Sequence, residues 1–154
     1  MKMEIGRLKS DPGEFEYFDF QFCPSESLED CVILSPVHVT GSVTFGGNLF
    51  LLAGRLSVKT QLSCSRCLTP VDKEIVFEFE EEFEEREYPG EDAVMDLVEI
   101  ASQLWITSVP MRILCREDCK GLCPICGKDL NGGECDCQKD NVDPRLEALR
   151  KLIE

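Results

Sequence analysis

Eight of the ten cysteines are spaced as metal ligands, and they are Cys64, Cys67, Cys115, Cys119, Cys123, Cys126, Cys135 and Cys137. Cysteines a few residues apart on a tight turn can direct both sulfur atoms at one tetrahedral cation, and Zn²⁺ is the common soft occupant. The segment 123–127 reads Cys-Pro-Ile-Cys-Gly, the spelling of a zinc knuckle, in which the glycine lets backbone N–H groups turn toward the sulfurs. The spacing therefore predicts one or two bound zinc ions.

Chain geometry suggests how two ions would share these ligands. Cys123 and Cys126 form one local site with Cys135 and Cys137, which a turn over 131–133 brings back. Cys64 and Cys67 would then meet Cys115 and Cys119. A rival partition places one ion among Cys115, Cys119, Cys123 and Cys126 and leaves Cys64 and Cys67 as a reduced pair. Cys23 and Cys31 have no near partner and are expected to be small buried residues.

Residues 1–7 predict the compartment in which these cysteines work. They carry charges where a signal peptide needs an apolar core, and no stretch approaches the roughly 20 apolar residues of a membrane span. We therefore expect a cytoplasmic protein without membrane contact. In a reducing cytosol, clustered cysteines bind metal more often than they form disulfides. Iron is a competitor, although rubredoxin-like centres use two C-x2-C pairs, whereas here Cys135 and Cys137 close the set.

The charge is strongly negative and unevenly distributed. A formal net charge of −14 repels nucleic acid at long range, so any RNA contact must be local or arranged through a protein. Five basic residues nevertheless lie within or beside the cysteine motifs, either balancing the thiolates or contacting RNA phosphate or a ribosomal protein: Arg66, Arg112, Arg116, Lys120 and Lys128. Acidic residues concentrate over 78–92, where no calcium-loop spacing occurs; they are interpreted as a solvated strand face and a mobile loop over 84–90, with a basic protein partner left open.

The hydrophobic pattern predicts an α+β fold: an antiparallel β-meander or partly open barrel packed by one central helix. Alternation over 37–45, a turn over 46–48 and a return strand from 49 indicate a β-hairpin. The Cys64–Pro70 segment reverses the chain again, before a strand with large apolar residues over 75–83. Cys64 and Cys67 would thus lie at a hairpin tip.

Other elements surround this meander. Phe18, Phe20 and Phe22 alternate as in a half-buried strand, and Ile5 and Leu8 suggest a short strand. Asp96 should cap a central helix over 97–106, with Trp105 as an anchor against the sheet. A short strand is expected over 110–114, and a short amphipathic tail helix after Asp143, with apolar residues Leu146, Leu149, Leu152 and Ile153. The sheet and helix would occupy 1–114 and the cysteine-rich zinc module and tail helix 115–154, together forming one compact unit.

Enzyme chemistry has little support in the sequence. His38 is the only histidine and lies in a strand pattern, and no phosphate-binding glycine loop or serine-nucleophile elbow occurs. Four thiolates would leave a zinc ion no open position for water, which catalytic zinc requires. We therefore expect no enzymatic activity. The alternative is a cytosolic redox or iron-binding protein that uses the C-x2-C pairs, although a thioredoxin-type pair begins a helix rather than ending a hairpin.

An ordered set of motifs resembles one bacterial family. The set comprises Cys-Ser-Arg-Cys-Leu at 64–68, Asp96-Leu97 opening the helix, Val-Pro-Met at 109–111, the stretch 119–131 with Cys-Asp-Cys at 135–137, and Asp-Pro-Arg-Leu at 143–146. It is similar to the YceD-like family of large ribosomal RNA subunit accumulation proteins. The resemblance implies a ribosome-biogenesis role in accumulation or processing of large-subunit ribosomal RNA. The implied partner is a large-subunit ribosomal RNA precursor or a ribosomal protein, with no small-molecule substrate and no known catalytic mechanism.

Overall fold

A computed structural model describes residues 1–24 and 31–137. Its elements are β1 (Lys2–Glu4), β2 (Phe15–Phe22), β3 (Cys31–Ile33), β4 (Val37–Phe45), β5 (Leu49–Ser63), β6 (Pro70–Glu84), β7 (Val94–Asp96) and α1 (Leu97–Ser108), with 3₁₀ helices at Gly6–Lys9 and Glu85–Glu87. The tail helix predicted after Asp143 lies outside the described residues. Within those residues, no helix is long and apolar enough to cross a membrane.

Strand β5 is the centre of a five-stranded antiparallel sheet. Its Leu56 pairs with Val39 of β4 on one edge and with Phe77 of β6 on the other, while β3 continues the β4 edge and β2 pairs with β4. The predicted antiparallel hairpins are therefore confirmed. The sheet does not close on itself in the described part of the chain, and the partly open barrel stays a prediction.

Period-2 alternation explains which face of this sheet is buried. Phe50, Leu52, Leu56 and Val58 of β5 are all buried on the face that carries the main core. The paired Gly41 and Gly54 make room there, because a Cβ on Gly41 would lie 2.6 Å from the Phe18 ring and one on Gly54 would lie 2.9 Å from the Phe79 ring. The glycines thus let two phenylalanine rings fill the centre of the core.

Helix α1 covers the buried face, as the pattern predicted. The Asp96 carboxylate accepts hydrogen bonds from the N–H groups of Val98 and Glu99, which caps the first turn. Trp105 is only 1% exposed and is the anchor expected of it. The helix ends at Ser108, two residues later than the predicted Ile106. Beside it, β1 and β7 pair as a small two-stranded sheet.

Some local predictions are wrong. Ile5 and Leu8 are buried, but they lie before and within a 3₁₀ helix, and the strand is the preceding Lys2–Glu4. The segment 110–114 is not a strand: Pro110 lacks an N–H, and Ile113 instead exchanges two hydrogen bonds with Ser65. Where a loop was expected over 84–90, a capping box between Glu84 and Glu87 starts a 3₁₀ turn.

The two isolated cysteines also differ from expectation. Cys23 is exposed and Cys31 is half-buried at the start of β3, so neither is the small buried residue predicted. Cys31 is only half-buried because no residue of the short strand β3 is fully buried. Both cysteines lie outside the groups of sulfur atoms described next.

Candidate metal centres

The turn between β5 and β6 presents the first pair of cysteines. The N–H of Leu68 donates to the Cys64 carbonyl (2.9 Å) and the N–H of Cys64 donates to the Thr69 carbonyl (2.9 Å), which curls the backbone around the sulfurs. Leu68 lies in the left-handed region with φ 62°, a conformation that costs a leucine roughly 1–2 kcal/mol. This turn is therefore a knuckle in which leucine occupies the usual glycine position.

The loop after α1 supplies the second pair. Ser65 fixes this loop against the knuckle, because its N–H donates to the Ile113 carbonyl (2.8 Å) and its Oγ accepts from the Ile113 N–H (3.1 Å). The N–H of Cys119 donates to the Arg116 carbonyl, which turns the chain between Cys115 and Cys119. The packing of α1 on the sheet thus delivers these two thiols to the hairpin tip.

We call Cys64, Cys67, Cys115 and Cys119 the first cysteine group; their sulfur atoms all lie within 4.8 Å of one another. The Cys64 and Cys119 sulfurs are 3.9 Å apart, and those of Cys67 and Cys115 are 3.6 Å apart. A disulfide needs about 2.05 Å. Four sulfurs at 2.3 Å from a tetrahedral Zn²⁺ would be about 3.8 Å apart. The separations therefore suit four ligands of one metal ion.

The second cysteine group consists of Cys123, Cys126, Cys135 and Cys137, whose sulfur atoms also lie within 4.8 Å of one another. Its knuckle matches the first: the Gly127 N–H donates to the Cys123 carbonyl (2.9 Å), and Gly127 has φ 71°. Lys128 Nζ donates to the Glu134 carbonyl (2.7 Å) and holds the returning chain against the knuckle. The cysteines thus form the two-ion partition, and the rival single site is not the arrangement found.

Backbone N–H groups favour the thiolate form of one cysteine in each knuckle. Burial opposes ionisation of Cys64, but hydrogen bonds from the N–H groups of Arg66, Cys115 and Cys67 lower its pKa to about 6. For Cys123, the N–H groups of Cys126 and Ile125 are the main cause of a pKa lowered to about 6. Both knuckles therefore stabilise negative charge at sulfur.

Two other thiols resist ionisation. Burial, followed by the neighbouring thiols of Cys119 and Cys67, raises the pKa of Cys115 to about 12. The Cys126 thiol, followed by burial, raises the pKa of Cys137 to about 12. Four thiolates at this spacing repel one another, and a divalent metal ion removes that conflict by binding all four. The donor sets fit soft tetrahedral metals such as zinc or iron.

Hydrogen bonds of Arg66 connect the two cysteine groups. Gly121 lies between them with φ 76°, and a Cβ there would approach the Arg66 carbonyl to 3.0 Å. That carbonyl accepts the N–H of Leu122 (3.1 Å), while the Arg66 guanidinium donates to the Cys119 carbonyl (2.7 Å). Arg66 thus holds the first knuckle against the segment that leads into the second knuckle.

Sequence reasoning missed the role of Asn131. Its side-chain amide donates to Cys119 Sγ (3.4 Å), and its Oδ1 accepts the Lys120 N–H (2.8 Å). Asp129 orients it by accepting from both its backbone and its side-chain nitrogen. The amide lowers the pKa of Cys119, against the opposing effect of burial. The spacing of Asp129 and Asn131, typical of a side-chain-stabilised turn, is the signal that could have found it.

The five basic residues predicted to contact a partner differ in the contacts that their side chains make within the protein. Three of them make contacts nearby. Arg66 donates to the Cys119 carbonyl, Arg116 pairs with Asp118 (3.5 Å), and Lys128 donates to the Glu134 carbonyl. Arg112 and Lys120 are exposed near the first cysteine group. The structure therefore places all five side chains at the cysteine-rich end, where Arg66 and Lys128 join separate segments of the chain.

The fold and the two groups define an open antiparallel sheet protein with two candidate four-cysteine metal centres at one end. The family model of "Large ribosomal RNA subunit accumulation protein YceD" matches residues 52–153, and the chain belongs to this YceD family. The family model thus spans both cysteine groups together with most of β5, β6 and α1.

Relatives extend the likeness over nearly the whole chain. YlbN of Bacillus subtilis, an uncharacterized protein, is 31% identical over 99% of this chain and 96% of its own length. The uncharacterized proteins Mb2951c of Mycobacterium bovis and Rv2926c of Mycobacterium tuberculosis are each 27% identical, over 99% of this chain and 81% of their own length. No solved structure matches the chain.

Proposed function

We propose that this protein supports accumulation or processing of large-subunit ribosomal RNA as a non-catalytic adaptor in the cytoplasm, with a structural zinc ion in each cysteine group. The family description supports the ribosomal part. The observation that carries the adaptor part is the pair of closed sets of four sulfurs, each within 4.8 Å. Such sets leave no coordination position for water or substrate, so bound metal would stabilise a surface.

The distribution of charged residues supports an adaptor with two different surfaces. Arg112, Arg116 and Lys120 are exposed beside the first cysteine group, whereas Glu78, Glu80 and Glu82 are exposed along β6. Basic side chains attract RNA phosphate locally, and the carboxylates along β6 repel it. We propose that Arg112, Arg116 and Lys120 contact a large-subunit ribosomal RNA precursor or a ribosomal protein bound to it, while Arg66 and Lys128 hold the metal modules in shape.

Depletion of the protein in its own host tests this proposal. We expect a deficit of large-subunit relative to small-subunit ribosomal RNA, which the unaltered gene restores. The double variant Arg116→Glu/Lys120→Glu should restore it poorly and should retain its metal. It should bind large-subunit precursors more weakly than the unaltered protein at low salt, and its affinity should fall less steeply as salt rises. Lys2→Glu/Arg7→Glu, which reverses two exposed basic residues outside the cysteine-rich segment, serves as the matched surface-charge control. Full rescue by the double variant would refute the basic contact, and unchanged ribosomal RNA after depletion would refute the function.

Metal content separates zinc from the redox alternative. Anaerobically purified protein should contain two zinc ions per chain and two reactive thiols, which would be Cys23 and Cys31 outside the groups. Iron with visible absorbance, or a disulfide that forms and reduces reversibly within a group, would support a redox protein instead.

A further inference from the structure

Strand β6 has one edge without a partner in the described part of the chain. All fifteen of its residues are in register with β5, from Pro70 opposite Ser63 to Glu84 opposite Leu49. Among the residues described, no backbone hydrogen bond joins its other edge to another segment. Fifteen residues span about 50 Å, well beyond the usual strand length. A long free edge presents unpaired N–H and C=O groups to any chain that can lie beside it.

A row of carboxylates runs along this strand on the sheet face opposite the main core. Glu78, Glu80 and Glu82 are exposed, and their partners across β5 are Arg55, Ala53 and Leu51. Arg55 pairs with Glu78, but alanine and leucine offer no cation to the other two. Among the described residues, neither Glu80 nor Glu82 forms an ion pair, so both carboxylates can pair with a cation on the free-edge side.

We propose that the free edge of β6 binds an extended basic segment of a partner protein as an added β-strand. The proposal rests on the adaptor function and assigns it a second contact, on the side away from the basic residues. Main-chain hydrogen bonds would supply affinity, and the carboxylate row would select the partner's charge. Self-pairing is disfavoured because two copies would place their glutamate rows side by side. RNA is disfavoured by the same charges.

The spacing of the row defines the segment that fits. Glu78, Glu80 and Glu82 lie on one face at every second residue, so an added strand would match them with Lys or Arg at alternate positions. Val76 continues this row and is 52% exposed, which favours an apolar side chain at the end of the segment that lies beside it. The expected ligand is thus a short basic strand. The row of its side chains that lies beside the carboxylates would end in an apolar residue.

Binding of a synthetic peptide tests the inference. The probe has about ten residues, with Arg alternating with Thr and a terminal Val. We expect protection of β6 amide protons in nuclear magnetic resonance spectra of the full chain. We also expect about tenfold weaker binding by Glu78→Gln/Glu80→Gln/Glu82→Gln, since three cross-strand charge pairs are lost. The matched control Glu4→Gln/Glu14→Gln/Glu16→Gln removes the same charge elsewhere and should leave affinity within about twofold.

A second peptide separates β-pairing from plain charge attraction. Methylation of alternate backbone nitrogens removes the donors that an added strand needs while keeping every arginine, so binding should be lost. Equal binding of the methylated peptide, equal weakening in the control variant, or protection of β6 by an RNA oligonucleotide would overturn the inference. Depletion of the protein tests the proposed function independently of this edge. If depletion lowers ribosomal RNA and Glu78→Gln/Glu80→Gln/Glu82→Gln fully restores it, the edge contact is refuted and the proposed function stands.

Discussion

The first and second cysteine groups have the same ligands and the same knuckle, yet they differ in the chain segments that they join. Contacts in the first group link residues 48 and 55 positions apart, and three of its four cysteines are buried. The second group closes a short local loop, with only Cys123 buried. Closing a long loop removes more conformational freedom from the unfolded chain. The first group should therefore stabilise the fold and the second only its own segment.

The largest effect is expected from Cys64→Ser in the first group. The substitution removes a buried thiol of the first group. With zinc bound as proposed, one zinc ion should be lost and the hairpin tip should separate from the loop after α1. We expect the melting temperature to fall by about 10 °C or more, measured calorimetrically, with one zinc ion left per chain.

Cys23→Ser is the control for this change, since Cys23 is exposed and outside both groups. It should leave the melting temperature and the zinc content unchanged. A Cys64→Ser protein as stable as the Cys23→Ser protein would mean that the sheet and α1 hold the first group together without metal.

An intermediate effect is expected from Cys126→Ser in the exposed second group. The variant should lose one zinc ion, and amide exchange should accelerate over residues 120–137 only, because few core contacts depend on this segment. We expect a melting temperature lowered by about 3 °C or less. Exchange that accelerates equally in β5 and β6 would show that the two groups unfold as one unit.

The smallest effect comes from the residue that follows each C-x2-C pair. Leu68 has φ 62° and is 64% exposed, whereas Gly127 has φ 71°. Leu68→Gly should raise the free energy of unfolding by about 0.5 kcal/mol, since relief of backbone strain exceeds the added freedom of the unfolded chain. Gly127→Ala imposes backbone strain of about 1 kcal/mol, which should appear as faster amide exchange within residues 120–137 because the second group stabilises only its own segment. Chemical denaturation measures the change in Leu68→Gly, and hydrogen exchange measures that in Gly127→Ala. A destabilising Leu68→Gly would show that the leucine side chain packs more than its exposure implies.

The sequence predicted the elements whose signals are local. Alternation located β4, β5 and β6, and Asp96 marked the start of α1, because the residues that form a strand or a cap are close in the chain. It failed over 110–114, where Ser65 provides the hydrogen bonds that a strand partner would have made. It also missed Asn131, whose contact with Cys119 depends on how the two knuckles fold against each other.

The sequence by itself favoured the second cysteine group, because its four ligands lie within one short segment that a glycine-containing turn folds back on itself. It also determined the alternating strands and the acidic row on β6. Only the tertiary structure decided the choice between the two partitions, since Cys64 and Cys67 reach Cys115 and Cys119 through the length of β5 and the packing of α1. It likewise decided that β6 keeps a free edge, because strand order is a property of the whole sheet and not of any one segment.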